Sequence, residues 1–402
     1  MKKTIWIIND YAGSAYHGME FRNYYFAKEW IKRGYEVYII TASYMHLFKN
    51  LPKIEKTFTF EKIDGINYLW VKVINYGEST NKKRVLKWFE FASKLFFLPL
   101  SKIKKPNVII ASPMAPFLVM AAYKLAKKFN SKFIYEVKDI WPLSIIELGN
   151  ISPNHPLIKM MSWCEKFAIT KADYVVSSLQ NYDEHLKKDL KIDKNFVWIN
   201  NGIDLDEMKN IEDLSQDVKS QVPKNKFIIG YTGTIGIANA IEYLLESAKL
   251  LQSYEDIHFI IVGDGKEKEN LQQRYANLNN ITFIEPIKKQ QVQSMLKFFD
   301  VCHIGWNKEK IYNYGISPNK LFDYMYSEKP ILHSYNGKND IVKLAKCGVT
   351  VEPENPESIK QGILKLYSMN RDERKKLGEN GKKYVLEHFT YEKLAEKYEK
   401  LF

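Results

Sequence analysis

The sequence predicts an α/β protein built from two Rossmann-like domains, each a doubly wound parallel sheet, and three observations lead there. Its 402 residues, 45% hydrophobic and 27% charged, suffice for two globular cores. Two distant segments share one grammar: strand, glycine-bearing loop, amphipathic helix, strand. In both, the glycines fall at the strand-to-helix turn, the end of such a sheet where ligands bind.

The first opening starts with TIWII (Thr4–Ile8). A loop with Gly13 and Gly18 follows, then an amphipathic helix, Gly34 and a second strand over 36–41. The uncharged run 106–123 carries three prolines and falls short of the roughly 20 apolar residues of a membrane span. It reads as a buried strand, a Pro-rich turn and a helix start. A further β-rich run, 132–137, ends at Lys138-Asp139 before Trp141-Pro142. The join lies near 198–204, followed by a polar linker over 206–226. The second opening runs from strand 227–231 through Gly233 and Gly236 and a helix to Leu251, into strand 258–262. Later, DVCHIGW (300–306) feeds a loop rich in Lys, Tyr and Asn, then a helix beginning at SPNK, then the short strand that ends KPILHS. The final FTYEKLAEKYEKLF is amphipathic and could pack on either domain. The expected domains are 1–200 and 201–385, with a terminal helix over 386–402.

Composition narrows the chemistry. Cys164, Cys302 and Cys347 form no CxxC pair, and the eight histidines show no ligand spacing such as HxxxH. That fits a reducing compartment, no disulfide framework and no metal site. The opening MKKTIWIIND turns polar at Asn9, too soon for a signal peptide. The net charge of +13 admits nucleic acid, an anionic membrane or an acidic substrate as partner. Residues 81–105 concentrate it: Lys82, Lys83, Arg84, Lys87, Lys94, Lys102, Lys104 and Lys105 stand against Glu90 alone. Trp88 and several Phe residues lie between them at helical spacing. Either the helix faces the core with a solvated basic side, or it lies on an anionic bilayer; the density of aromatics beside the charge favours the bilayer.

The segment YGISPNKLFDYM carries the sharpest functional signal. Ser317 reads as a helix cap and Pro318 as the first helical residue, which puts Lys320 in the first turn. The helix dipole disfavours a cation there. A diphosphate bound at the helix start resolves the conflict. The N–H groups of Asn319 and Lys320 hold the anion and the Lys320 side chain neutralises it. Asp323 shares that face and can accept both hydroxyls of an attached ribose. The alternative is an exposed Lys320–Asp323 pair worth about 0.2–0.5 kcal/mol. The helix follows a strand's carboxyl end, where a cleft facing both sheets belongs, and this favours the ligand. GTIGIA is not a full GxGxxG; alone, its glycines read as structural.

Three weaker sites remain. Asp139 and Lys138 could serve a ligand in the cleft, or the two could simply pair and fix their loop. Glu136 of the same segment should line the cleft. His17, in the first glycine loop, could touch a ligand or only solvent. Asp204-Leu-Asp206 is formally a DxD, but its place at a turn reads as a helix cap.

These motifs together resemble the retaining family-4 glycosyltransferases of the GT-B fold, and the resemblance covers nearly the whole chain. GISPNKLFDYMYSEKPIL is similar to that family's nucleotide-binding helix, roughly Glu-x7-Glu-Ala-Met-Ala-x-Gly-x-Pro-Val-Ile. Gly18-Met19-Glu20 and Gly34-Tyr-Glu-Val look like its acceptor-domain opening and Asn201-Gly-Ile-Asp204 like its interdomain turn. Gly233-Thr234-Ile-Gly236 and Val262-Gly-Asp-Gly265 look like its donor loops. The SPNK helix with Lys138-Asp-Ile-Trp-Pro142 is similar to the N-acetyl-fucosamine-type transferases of O-antigen and capsule assembly. The resemblance makes Asp323 the ribose ligand. It also exposes departures: Gly315 stands where the first, sugar-touching Glu belongs, and no Arg or Lys follows the GTIG loop.

The resemblance implies a retaining hexosyltransferase that moves a sugar, expected to be N-acetylated, from a UDP-sugar to a polyprenyl-linked saccharide. It implies two domains facing across a cleft, a terminal helix crossing back to the first domain, and no cofactor or metal. Expected donor-binding residues are Gly233, Thr234, Gly236, Gly265, Ser317, Pro318, Asn319, Lys320 and Asp323. Asp139, Lys138 and His17 are expected to be catalytic, and Gly18, Arg84, Lys87 and Trp88 to face acceptor or membrane. The expected setting is cytoplasmic, peripheral on the inner membrane face, in capsule or O-antigen synthesis, without nucleic acid. The rivals are a UDP-sugar epimerase of the same plan and a non-catalytic membrane- or nucleic-acid-binding protein.

Overall fold

Continuous apolar runs such as Ile5–Ile8 and 259–262 are buried along their whole length, as strands of a parallel sheet covered on both faces must be. A computed structural model of the chain describes residues 3–18, 21–78, 81–149 and 151–402. They divide into two compact units. The first takes Met1–Asn200 with Tyr314–Ile316 and Tyr391–Phe402; the second takes Asn201–Asn313 and Ser317–Thr390.

The first unit holds an eight-stranded sheet. In chain order its strands are β1 (Thr4–Ile8), β2 (Glu36–Ala42), β3 (Phe58–Ile63), β4 (Ile66–Val71), β5 (Val108–Ala111), β6 (Lys132–Val137), β7 (Tyr174–Ser177) and β8 (Phe196–Trp198), arranged β3-β4-β2-β1-β5-β6-β7-β8. All neighbours pair in parallel except β3 and β4. That hairpin departs from the all-parallel expectation because Asp64-Gly65, both at positive φ, make a two-residue turn suited to antiparallel strands. The terminal helix Tyr391–Glu399 packs on helix Arg22–Lys32 of this unit. Tyr391 meets Tyr25 and Phe26, and Tyr398 meets Phe26 and Trp30 edge-on at 5.4 Å.

The second unit holds six parallel strands: β9 (Phe227–Thr232), β10 (Ile257–Val262), β11 (Ile281–Ile284), β12 (Val301–Gly305), β13 (Ile331–Ser334) and β14 (Gly348–Val351). Their order, β11-β10-β9-β12-β13-β14, reverses direction between β9 and β12. Such a switch point opens a crevice at the carboxyl ends of the strands. Helices Ile241–Leu250 and Pro356–Ser368 close one face, with Leu244, Leu245, Ile359 and Ile363 in the same core as Ile229 and Phe259.

Candidate functional site

At the crevice of the second unit the loops after β9 and β10 touch backbone to backbone. Gly233 N–H donates to Val262 O at 2.9 Å, and Ile235 N–H to Asp264 O at 2.8 Å. Gly263 stands at φ +143, and a Cβ there would lie 1.9 Å from Gly233 O, so only glycine fits. Gly265 lies as close to Ile235, Thr234 O accepts the Tyr231 hydroxyl at 2.6 Å, and Gly236 opens the one-turn helix Ile237–Asn239.

The helix of the SPNK segment runs from Asn319 to Tyr326, so the expected start is corrected by one residue. Pro318 stays extended, at φ −76 and ψ 124, and occupies the cap position. Ser317 does not cap: its hydroxyl accepts from Asn201 N–H at 3.3 Å, and its carbonyl takes the Asn201 amide at 3.1 Å. No side chain caps this amino end, which leaves its N–H groups for another acceptor. Buried Tyr324 ties the helix to the end of β9 by accepting Thr232 N–H at 2.8 Å.

Lys320 points at the glycine turn. Its ammonium is 2.5 Å from Tyr231 Oη, 2.7 Å from Asn239 Oδ1 and 4.2 Å from the centre of the Tyr231 ring. Burial lowers its pKa to about 7, and among the described residues no carboxylate counters that effect. The exposed Lys320–Asp323 pair weighed on sequence grounds is therefore not formed. Asp323 instead faces Lys289 at 3.9 Å, with Glu207 3.8 Å from the same lysine. Burial raises the Asp323 carboxyl and Lys289 works against it. Sequence reading missed Tyr231, Asn239 and Lys289, because nothing local marks a strand tyrosine or a turn asparagine as a partner 81 or more residues away.

In the first unit, several expectations are corrected. Glu136 does not line an open surface. It is buried, receives Arg22 Nε at 3.1 Å and Nη2 at 3.0 Å, and takes the Ser112 hydroxyl at 2.6 Å. Asp139 is exposed just beyond β6, beside half-buried Lys138. His17 is no solvent-facing loop residue. It is 1% exposed, bonded to Ser14 Oγ at 2.8 Å and set edge-on to Trp70, and burial lowers its pKa. Gly18, at φ +88, closes that turn onto Ser14 O; Met19 and Glu20 of the expected opening lie outside the described residues.

Lys87 and Trp88 cannot face a membrane, because both point inward from helix Lys83–Lys94. The Lys87 ammonium is wholly buried, 2.8 Å from Asp10 Oδ2, 2.6 Å from Asp10 O and over the Tyr11 ring. Asp10 supplies the counter-charge without which a lysine is not tolerated there. Arg84 Nε donates to Tyr11 Oη at 2.8 Å, and its guanidinium lies over Trp88. Leu86 and Phe89 of this helix, Phe96 and Phe97 of the turn Leu95–Phe97 after it, the last 76% exposed, and Lys82 and Lys83 are exposed. No described helix is long and apolar enough to cross a membrane. Among the described residues no cluster of three or more His, Cys, Asp and Glu is placed to hold a metal ion. Asp204 caps helix Leu205–Lys209, accepting Glu207 N–H at 2.9 Å.

Two family models match this chain: Glycosyltransferase Family 4 over residues 16–207 and Glycosyl transferases group 1 over 212–384. Together they match most of it, and the two sheets have the GT-B plan. By fold and sequence the chain is a GT-B glycosyltransferase, a family 4 domain followed by a group 1 domain. An uncharacterized glycosyltransferase of Methanocaldococcus jannaschii is 30% identical over 246 residues, which span 59% of this chain and 60% of that protein. WcaI of Escherichia coli, a candidate glycosyl transferase of colanic acid biosynthesis, is 23% identical over 350 residues, 83% of this chain and 85% of its own. Sucrose-phosphate synthase of Thermosynechococcus elongatus superposes with a TM-score of 0.75 at 16% identity, covering 100% of this chain and 98% of that one.

Proposed function

We propose that the protein transfers a sugar, N-acetylated, from a UDP-sugar to a lipid-linked saccharide during assembly of a cell-surface polysaccharide, with retention of anomeric configuration. One observation carries the reading. A half-buried lysine with no carboxylate partner among the described residues stands at an uncapped helix start, one turn before the Asp323 carboxyl. A nucleoside diphosphate answers both features. Its pyrophosphate supplies the charge that Lys320 lacks, and its ribose hydroxyls donate to Asp323. As the bond to the sugar breaks, negative charge grows on the departing diphosphate, where the helix dipole and Lys320 are already aimed. Asp139 then orients the acceptor hydroxyl, with Lys138 beside it.

The acceptor side rests on the first unit. Leu86, Phe89, Phe96 and Phe97 among Lys82 and Lys83 form an apolar, cationic surface. Trp163, 52% exposed and stacked on Phe167, adds a further exposed aromatic. Each basic residue near an anionic bilayer contributes about 1 kcal/mol, which would bring the protein to a polyprenyl-linked substrate from the cytoplasmic side. WcaI, by its name, points to polysaccharide assembly too. The test incubates purified protein with a panel of UDP-sugars and polyprenyl-linked saccharide lipids. UDP release that requires lipid supports the reading; absence of both UDP binding and UDP release would sink it.

A further inference from the structure

Trp306 leaves the carboxyl end of β12, half-buried, and its ring is held by a chain of buried polar groups. The indole N–H donates to His333 Nε2 at 3.2 Å. A nitrogen that accepts carries no hydrogen, so Nδ1 bears it and donates to Asp340 Oδ1 at 2.8 Å. Asp340 also takes Val342 N–H at 2.9 Å and the Thr350 hydroxyl. Burial raises its carboxyl, and the bonds from His333, Thr350 and Val342 bring it below the usual range. His333 is 0% exposed and Asp340 6%. Tyr312 stands steeply inclined to the indole at 5.1 Å, its carbonyl bonded to Tyr335 Oη at 2.9 Å.

This ring lies on the same edge of the sheet as Lys320. The adjacent Asn307 amide bonds Ile237 O at 3.1 Å, in the turn whose Asn239 receives the Lys320 ammonium. A core position needs only an apolar side chain of the right volume. A buried histidine backed by a buried aspartate is required only if the orientation of one partly exposed indole matters. The faces of pyranose rings present C–H groups that pack against aromatic planes, and the expected sugar-touching Glu is absent at Gly315.

We propose that Trp306 is the aromatic platform for the pyranose ring of the nucleotide sugar, and that His333 is its positioning residue. The assignment rests on the UDP-sugar reading above and adds to it which side chain recognises the transferred sugar.

The experiment measures, by calorimetry, the dissociation constants of UDP and of UDP-glucose, UDP-N-acetylglucosamine and UDP-N-acetylgalactosamine for each variant. Trp306→Ala should weaken the best of these sugar nucleotides about tenfold and UDP less than about twofold. Trp306→Phe keeps the face without the N–H and should lose only about two- to threefold. His333→Asn should weaken sugar-nucleotide binding in the native background but not further in the Trp306→Phe background, because it acts through the lost N–H. Equal loss for UDP and every sugar nucleotide, or no loss in Trp306→Ala, overturns the platform. An equal His333 effect in both backgrounds overturns the positioning role. If the unaltered protein fails to bind UDP, the donor reading itself is wrong, which separates the two failures.

Discussion

The side-chain nitrogen of Lys320 stands 2.5 Å from the phenolic oxygen of Tyr231, and among the described residues no carboxylate offsets the desolvation of its charge. A cation in that position penalises the empty protein and favours the filled one, so its removal should act in opposite directions on stability and on binding.

Lys320→Met is expected to leave the thermal midpoint unchanged or raised, since an apolar chain of similar length replaces a desolvated charge. The same change should weaken UDP by roughly 10- to 100-fold, the range for a charge-assisted hydrogen bond. Thermal scanning with and without UDP measures both. A fall in midpoint with unchanged UDP binding would show that the lysine is structural.

The pH dependence has a definite sign. The folded-state pKa of Lys320 is near 7, below the ordinary lysine value of 10.5. Between pH 7 and 10.5 the unfolded chain binds the extra proton, so this group makes stability rise with pH across that window, while below pH 7 its penalty is fully present. The proposed UDP contact uses the cation, so on that reading affinity should fall above pH 7, by up to about tenfold per pH unit, with proton uptake on binding. Titration calorimetry at pH 8 in two buffers of different ionisation enthalpy reports that proton. Lys320→Met should abolish the uptake.

Within the cationic segment, buried and exposed lysines should behave differently. Lys87→Met strands Asp10 without its counter-charge and should cost about 3–5 kcal/mol, read from the urea midpoint. Reversing exposed Lys82 and Lys83 to Glu should leave that midpoint within about 0.5 kcal/mol yet reduce sedimentation with anionic liposomes. Unchanged liposome binding would remove the bilayer from the account.

Gly315→Glu introduces the residue that the resemblance places there, but it should not raise activity. Gly315 stands at φ +114, and a Cβ would come within 2.5 Å of Gln180 N. Strain of about 1–3 kcal/mol from the backbone conformation alone is expected, before the clash. A lowered thermal midpoint is the predicted result; a more active enzyme of unchanged midpoint contradicts it.

How far the sequence could be read followed from the range of each interaction. The strand Thr4–Ile8 was legible because burial on both faces leaves an apolar run over Ile5–Ile8, and Lys132–Val137 because β-favouring residues flank its charged Lys132 and Glu136. The Ser-Pro helix start was misplaced by one residue because Asn201, from 116 positions away, claims the Ser317 hydroxyl. Periodicity showed that 83–94 is helical but not that Lys87 turns inward, since its partner Asp10 is 77 residues distant. The β3–β4 hairpin was missed although Asp64-Gly65 is a plain turn signal. For the site, Lys320 and Asp323 were visible as a spacing, whereas Tyr231, Asn239 and the Trp306–His333–Asp340 chain exist only through tertiary contact.

The approach of Gly263 to the Gly233 carbonyl couples the two turns. With a methyl group excluded at 263, a side chain can enter there only if the Gly233 carbonyl moves away, so neither turn can be rebuilt without regard to the other. Grafting a foreign turn after β9 to alter sugar choice would collide with the resident turn after β10, so any workable transplant has to carry both together.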